Sequence, residues 1–282
     1  MKTLGYYNGK FGELEEMTVP MNDRVCYFGD GVYEATLAKN YVIHCLDDHI
    51  DRLFSSMAKL EIAPPMGKEE MKRELSRMVS KMDVGELIVY WQVTRGTGVR
   101  NHVFPSEGSS NLWIALWEAH AADLSEEISL THTEDTRFLH CDVKTLNLIP
   151  SVMASEKAKR QGASECVFHR GDVVTECAHS NIHIVKDGVF ITHPANCYIL
   201  PGIARKNLIA YCKRSGIPVE ERPFTMEELY DADEVIVSSS GAFAQRAKDL
   251  DGRPVGGKAP ALLKQLQQAM LADFEEQTAK MG

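Results

Sequence analysis

The chain has 282 residues, of which 44% are hydrophobic and 25% charged, as is ordinary for a globular protein with one large core or two moderate ones. Its net charge of −9 at pH 7 argues against a general nucleic-acid-binding protein, because there is no excess of basic residues to neutralise phosphates. No stretch is apolar for long enough to span a bilayer, and the first residues lack the apolar segment of a signal peptide. We therefore expect a cytoplasmic protein with no nucleic-acid or membrane partner.

The cysteines give no sign of a metal or redox site. Their number is odd, and no two of them have the Cys-x-x-Cys spacing. They stand at positions 26, 45, 141, 166, 177, 197 and 212. We expect reduced thiols, as in the cytosol, and no metal.

The first half of the chain is typical of strands with two helices between them. Asn8-Gly9 predicts a hairpin turn, and the glycines of Phe28–Gly31 predict a tight bend that leads into a strand through Leu37. The other predicted elements are strands at 41–46, 86–94 and 111–117 and amphipathic helices at 47–60, with Asp47 as N-cap, and at 66–82. The polar segment 118–127 marks the end of this half.

The second half again groups strands between helices. The predicted strands are 128–134, 137–141, 164–169, 172–176, 180–186 and 233–239, and the predicted helices are 151–161, 203–216 and 259–280. This grouping predicts an α+β protein of two domains. We expect an N-terminal α+β domain over residues 1–120 and a C-terminal α/β domain over residues 121–282.

A single lysine, Lys144, stands in the mostly apolar run from Cys141 to Ile149. Apolar surroundings disfavour the ammonium form, and a neutral amine can form a Schiff base with an aldehyde. The commoner arrangement of a lone lysine is an alkyl stem that carries the charge out to solvent. The stretch alone leaves both interpretations open.

Other stretches offer partners for a phosphorylated pyridine cofactor. Gly202-Ile203-Ala204 opens a helix, where backbone N–H groups favour an anion, and Ser238–Gly241 adds hydroxyls, although such residues also make ordinary turns. Arg52 can bind a phosphate with two N–H groups, or pair with Asp48 one turn earlier. Glu176, at the end of a strand, can keep a pyridine nitrogen protonated, or simply face water.

Arg100-Asn101-His102 is a candidate anion trap. In an extended segment, residues two apart point to the same side, so the guanidinium and the imidazole can converge on one carboxylate. A basic loop tip after Gly96–Gly98 is an equally open interpretation. We interpret His44, His49 and His193 as surface or packing residues.

Taken together, these segments resemble the class IV aminotransferases, the pyridoxal-phosphate enzymes of the D-amino-acid and branched-chain aminotransferase fold. The matching segments, in the family's order, are Phe28–Glu34, His49–Leu53, Val93–Gly96, Asp142–Asn147, Thr175-Glu176, Ser180-Asn181, Thr192–Pro194 and Gly202-Ile203. The Arg-x-His motif resembles the carboxylate trap of the D-amino-acid aminotransferases and favours that subfamily. The resemblance implies a two-domain fold-type IV structure with the active site between the domains.

The resemblance also implies a role for individual residues. Lys144 would be the Schiff-base lysine that holds pyridoxal 5'-phosphate and moves the proton of the substrate α-carbon, and Glu176 would pair with the pyridine nitrogen. The implied phosphate ligands are Arg52, the amides of Ile203 and Ala204, and Ser240, while Leu200 packs on the ring. The implied ligands of the substrate carboxylate are Tyr33, Arg100 and His102. In the family, the arginine and histidine come from the neighbouring subunit, which implies a homodimer.

The implied activity is ping-pong transfer of the amino group of D-alanine, and of other D-amino acids, to 2-oxoglutarate, giving pyruvate and D-glutamate. Alternatives on the same fold are a branched-chain L-amino-acid or (R)-amine transaminase and an aminodeoxychorismate-type lyase, and a remote one is a non-catalytic pyridoxal-phosphate-binding protein. Three positions depart from the family pattern. They are Cys177–His179 in place of serines, Ala204 in place of a threonine, and Gly241–Ala244 in place of a more polar stretch. These departures leave the side-chain specificity open.

Overall fold

In the computed structural model, which describes residues 1–106 and 109–279, the chain forms two compact units. The first unit contains Met1–His120, Val143–Asn147 and the chain from Phe274 onward, and the second contains Ala121–Asp142 and Leu148–Asp273. The short lysine segment Val143–Asn147 therefore belongs to the first unit, although the residues on either side of it belong to the second. The predicted position of an active site between two domains stays a prediction.

The first unit is a sheet with helices. Its elements are β1 (Thr3–Tyr7), β2 (Lys10–Gly12), a 3-10 turn (Leu14–Glu16), α1 (Arg24–Phe28), β3 (Gly31–Lys39), β4 (Val42–Ile43), α2 (Leu46–Lys59), α3 (Lys68–Val79), β5 (Glu86–Thr94) and β6 (Asn111–Glu118). The described strands pair in the order β2-β1-β6-β5-β3-β4, and each neighbouring pair is antiparallel.

The core of the first unit follows from the periodicity of its elements. Ile50, Leu53 and Met57 recur at helical spacing on α2 and are completely buried. Along β5, Val89, Trp91 and Val93 alternate with less buried residues and belong to the same apolar core. This packing fixes α2 against the sheet and so fixes the side chains that α2 and β3 present to each other.

The second unit contains the remaining elements. They are β7 (Ile128–Glu134), α4 (Ile149–Arg160), β8 (Glu165–Arg170), β9 (Val173–Cys177), β10 (Asn181–Lys186), β11 (Val189–Thr192), α5 (Ile203–Arg214), β12 (Val219–Glu221), β13 (Phe224–Thr225), α6 (Met226–Asp231), β14 (Glu234–Ser238), β15 (Gln245–Leu250), β16 (Arg253–Pro254) and α7 (Pro260–Gln277). The last residues of α7, from Phe274, belong to the first unit.

The described strands of the second unit pair in the order β12-β11-β10-β14-β15-β7-β8-β9-β13, and β16 pairs with β15. β7 lies parallel to both β15 and β8, whereas β8 and β9 are antiparallel. β9 and β10 follow each other after a three-residue bend, so Glu176 near the end of β9 and Asn181 at the start of β10 come close together. Among the described residues, no helix combines the length and apolarity that a membrane crossing requires.

The predicted α+β class is confirmed, but two local predictions are wrong and one short helix was not predicted. Residues 137–141 form no strand, because the Arg137 amide donates to Asp135 Oδ1 (3.0 Å) instead of to a neighbouring strand. The predicted bend at Phe28–Gly31 is preceded by α1, which Asp23 caps and which Gly29 ends with φ 60°. Helix α2 begins at Leu46, after Cys45 with φ 50°, so Asp47 lies in the first turn and is not the N-cap.

Candidate active site

Two segments that stand more than a hundred residues apart in the sequence meet in the first unit. The Tyr33 amide donates to the carbonyl of Lys144 (2.9 Å), and the Leu146 amide donates to the carbonyl of Gly31 (3.1 Å). Gly31 has no room for a side chain, since a Cβ there would lie 2.7 Å from both Leu146 Cδ1 and the Val93 carbonyl oxygen. The glycine-rich bend therefore packs closely against the lysine segment, and this contact holds Lys144 beside β3.

The Lys144 side chain is half-buried and lies against an aromatic ring. Its Nζ is 4.2 Å from the centroid of the Tyr33 ring, and Tyr33 in turn stacks on Tyr90 with ring centroids 5.6 Å apart. The Lys144 amide donates to Ser56 Oγ (3.3 Å), which ties the lysine to α2. The backbone of Lys144 is thus held in position on two sides, while the amine at the end of its side chain faces the Tyr33 ring.

A buried ionic cluster lies next to this lysine segment. Arg52 on α2 donates through Nε to Glu34 Oε1 (2.8 Å) and through Nη2 to Glu34 Oε2 (2.7 Å), and His49 Nδ1 donates to the same Oε2 (2.7 Å). Glu34 is completely buried, and its bonds with the Arg52 guanidinium and with His49 lower its pKa to about 2 despite the opposing effect of burial. Burial lowers the pKa of His49, so the imidazole is a neutral donor. The cluster fixes the plane of the Arg52 guanidinium.

The Arg-x-His motif is exposed, and its two side chains share one neighbour. The Arg100 guanidinium carbon lies 5.3 Å from the centroid of the Phe28 ring, and the His102 ring centroid lies 5.3 Å from the same centroid. The segment bends at Val99-Arg100 and at His102-Val103, so the extended strand geometry assumed from the sequence is wrong. The two side chains nevertheless reach the same ring, as convergence on one anion requires.

In the second unit, Glu176 is the centre of a hydrogen-bond network. Its Oε2 accepts from Asn181 Nδ2 (2.9 Å) and from the Leu200 amide (3.0 Å), and its Oε1 forms an ion pair with Arg137. Arg137 is itself held by Asp135 through two hydrogen bonds to its guanidinium. Burial raises the pKa of Glu176 to about 6, although Arg137 acts in the opposite direction.

The start of α5 offers backbone donors for an anion. Gly202 is its N-cap and provides no side-chain cap, and the first turn contains no acidic residue. A Cβ on Gly202 would lie 2.0 Å from Asn181 Oδ1, so only glycine leaves room for the amide that binds Glu176. Ile203 and Ala204, the predicted phosphate ligands, occupy the first two positions of the helix, and Ser240 lies in the turn that follows β14.

Sequence reasoning missed three residues of these networks. Glu34 was detectable, because it alternates with Val32 and Thr36 on a strand and a charge on such a buried face needs a partner. His49, interpreted as a surface or packing residue, proves to be a buried hydrogen-bond donor to Glu34. For Arg137 the sequence carries no signal, because its partner Glu176 is 39 residues away and lies on another element.

These observations fit pyridoxal 5'-phosphate. Glu176 is a buried carboxyl group with a raised pKa, and two N–H donors fix its position. Burial disfavours its charged form, so a protonated pyridine nitrogen beside it would stabilise the carboxylate. An uncapped helix start suits a phosphate. The chemical groups that covalent attachment, the pyridine nitrogen and the phosphate would each require are therefore present in the chain.

Comparison with known proteins agrees with this chemistry. The family model of class IV amino-transferases matches residues 31–249. The D-alanine aminotransferase of Listeria monocytogenes serotype 4b is 40% identical over 95% of this chain and 94% of its own length, and that of Staphylococcus haemolyticus is 35% identical over 97% and 99%. Among solved structures, a T.th. branched-chain amino acid aminotransferase complexed with N-(5'-phosphopyridoxyl)-L-glutamate is 22% identical and superposes with a TM-score of 0.87 over 98% of this chain and 94% of that one.

The structural match supports the fold alone, whereas the family model extends over Lys144, Glu176 and the start of α5, and the two sequence relatives match nearly the whole chain. The predicted fold, family and cofactor are confirmed. This chain therefore belongs to the class IV aminotransferases, which use pyridoxal 5'-phosphate.

Proposed function

We propose that the protein is a D-amino-acid transaminase that moves the amino group of D-alanine to 2-oxoglutarate, giving pyruvate and D-glutamate. The observation that carries the substrate class is the pair Arg100 and His102, whose side chains contact one ring, Phe28. A guanidinium and an imidazole that lie side by side in this way can both donate hydrogen bonds to a carboxylate. The relatives that share 35% to 40% of the sequence over nearly the whole chain are D-alanine aminotransferases, which supports the same substrate.

The cofactor supplies an electron sink for the electrons left at the substrate α-carbon when a proton departs. In the proposed assignment, Lys144 would hold the cofactor covalently and, as a free amine, would carry the proton between the substrate α-carbon and C4′ of the cofactor. Glu176 would accept a hydrogen bond from the protonated pyridine nitrogen. Arg52, the amides of Ile203 and Ala204, and the Ser240 hydroxyl would bind the phosphate, and Leu200 would pack on the ring.

The first-unit cluster gives Arg52 its place in this assignment. Glu34 occupies Nε and Nη2 of the guanidinium and prevents it from rotating. A fixed guanidinium loses less side-chain entropy when it binds a phosphate than a mobile one. Glu34 and His49 are therefore positioning residues for phosphate binding.

Tyr33, Arg100 and His102 would bind the substrate carboxylate. We propose a homodimer in which Arg100 and His102 serve the site of the neighbouring subunit, which their exposure on the surface of the described chain permits. We also propose a cytoplasmic location, consistent with the seven cysteines, all of which lie in the described part of the chain and form no disulfide there.

A single assay tests the substrate assignment. The purified protein is incubated with 2-oxoglutarate and either D-alanine or L-alanine, and pyruvate is followed. We expect turnover with the D-isomer and none with the L-isomer. Turnover with only the L-isomer would refute the D-specific assignment, and no turnover with any amino donor despite bound cofactor would indicate a binding protein.

A second experiment tests the lysine. Lys144→Ala should lose the visible absorption band of the covalently attached cofactor and all transaminase activity, whereas Lys68→Ala, which removes an exposed lysine of the same unit, should keep both. Persistence of the band in Lys144→Ala would show that another lysine forms the covalent bond.

A further inference from the structure

The segment that carries Arg100 and His102 is held by a buried arginine, Arg24. This residue is the first of α1, and its side chain is 4% exposed. Through Nη1 it donates to the carbonyl of Asn101 (2.7 Å) and to that of Val103 (3.4 Å), the residues directly before and after His102. Arg24 therefore contacts the backbone on both sides of the histidine.

These two contacts fix the backbone of His102. Because a peptide group is planar, a hydrogen bond to the carbonyl of Asn101 sets the plane of the peptide that joins Asn101 to His102. The Asn101 side chain closes the same turn, since its Oδ1 accepts a hydrogen bond from the Val103 amide (3.3 Å). The rotamers open to a side chain depend on its backbone dihedrals. The direction of the imidazole, and of the neighbouring Arg100 guanidinium, therefore depends on Arg24.

Arg24 is held in turn by a carboxylate that it shares with a second arginine. Arg24 Nε donates to Asp30 Oδ2 (2.7 Å), and Arg95 Nε donates to both oxygens of the same carboxylate (3.1 and 3.0 Å). The bond at Nε fixes the plane of the Arg24 guanidinium and so directs Nη1 at the two carbonyls. A lysine at this position could not bind both partners in the same way, because its ammonium group is a compact charge without the planar fork of arginine.

The second arginine, Arg95, connects this pair to a helix. Its Nη1 and Nη2 donate to the carbonyls of Glu61 (2.9 Å) and Leu60 (2.7 Å), which directly follow α2. Its guanidinium carbon also lies 3.6 Å from the centroid of the Phe104 ring, two residues beyond the Arg-x-His motif. A continuous row of charged side chains therefore connects the end of α2 to the segment 97–104.

We propose that Arg24 is a positioning residue for the substrate α-carboxylate, which it acts on through Arg100 and His102. This inference rests on the proposed role of those two residues. D-Alanine and 2-oxoglutarate both carry an α-carboxylate, so loss of the Arg24 contacts should weaken the binding of both substrates. A residue that served only the stability of the fold would lower the amount of active protein, and with it the apparent kcat, without changing either KM.

The test measures steady-state kinetics of the cofactor-loaded Arg24→Lys protein, which keeps a positive charge beside Asp30 but loses the fork. We expect the KM for D-alanine and the KM for 2-oxoglutarate each to rise about tenfold, with a smaller change in kcat and an unchanged absorption spectrum of the bound cofactor. Arg24→Gln should raise both KM values at least as far. The matched control is Arg77→Lys, which removes an exposed fork on Glu74 and should keep both KM values. Leu75→Ala, which opens a cavity in the core of the same unit, should lower the stability and also keep both KM values.

Hydrogen exchange of the cofactor-loaded protein without substrate gives a readout that is separate from activity. Within the segment 97–104, the Gly98 amide donates to the Asn22 carbonyl (2.9 Å), and the Val103 amide is bonded as described above. Peptides that cover this segment should exchange faster in Arg24→Lys than in the wild type. In Arg77→Lys they should exchange at the wild-type rate.

Arg100→Ala, measured in parallel, separates this inference from the proposed function. If Arg100→Ala raises both KM values and neither Arg24 variant does, the inference alone is overturned. The inference alone is also overturned if the segment 97–104 exchanges at the wild-type rate in both Arg24 variants. If Arg100→Ala leaves both KM values unchanged, the carboxylate does not bind at Arg100, and both the proposed assignment of this residue and the role of Arg24 are refuted.

Discussion

Replacing Glu34 by glutamine removes one negative charge from the interior while keeping the shape of the side chain. The carboxylate accepts two hydrogen bonds from Arg52 and one from His49, and its own exposure is 0%. The amide cannot accept both guanidinium bonds, because one end of it carries hydrogens. The guanidinium of Arg52, whose side chain is 9% exposed, would lose the negative charge that both of these bonds face.

The cost of this change can be worked out in two ways. A pKa lowered from 4.5 to about 2 corresponds to about 3 kcal/mol of preference for the ionised form in the folded protein. Removing one partner of a buried ion pair costs roughly 3–5 kcal/mol in other proteins. Because a lowered pKa contributes stability above pH 4.5 that is lost as the pH falls toward 2, the cost should be fully present at pH 7.

Tryptophan fluorescence is a suitable assay, because Trp91, Trp113 and Trp117 all lie in the first unit. Urea titration of Glu34→Gln at pH 7 should show a loss of about 3 kcal/mol in the free energy of unfolding. The control is Glu275→Gln, which breaks an exposed pair with Lys39 and should cost at most about 1 kcal/mol. Equal effects of the two variants would refute the reasoning that the Glu34 cluster is an electrostatic clamp.

Three further predictions follow from the second unit and from the Arg-x-His motif. Gly202→Ala places a Cβ against the amide of Asn181 and should weaken cofactor affinity, measured by fluorescence titration, whereas Gly67→Ala, at an open helix start, should not. In the cofactor-free protein, the pKa of Glu176 is raised from 4.5 to about 6, so the folded state binds its proton more tightly than the unfolded state. The free energy of unfolding should therefore fall by up to about 2 kcal/mol as the pH rises from 4.5 to 7. Urea titrations followed by circular dichroism should show this fall, and Glu176→Gln should lack it. Arg100→Ala should raise the KM for D-alanine at least about tenfold with cofactor affinity unchanged, and an unchanged KM would remove Arg100 from the carboxylate site.

The sequence predicted what depends on local motifs and missed what depends on pairing between distant elements. Lys144 and Glu176 stand in recognisable segments, and turn residues located most strands. Arg137, by contrast, stands in a stretch that looked like a strand, and only the folded chain shows that its guanidinium reaches Glu176. The contact of His132 with His169 depends on the register of two parallel strands 37 residues apart, which spacing alone does not give.

Glu34 and Glu176 are both buried carboxyls, yet their pKa values shift in opposite directions, and the reason lies in how their cations are shared. Glu34 has the Arg52 guanidinium on both of its oxygens and a histidine donor besides. Glu176 must share Arg137 with Asp135, and the negative charge of Asp135 raises the pKa of Glu176 further. The first carboxyl is thus fully compensated and serves as a clamp, whereas the second still lacks positive charge. A protonated pyridine nitrogen would supply that charge, so binding of the cofactor and ionisation of Glu176 should stabilise each other.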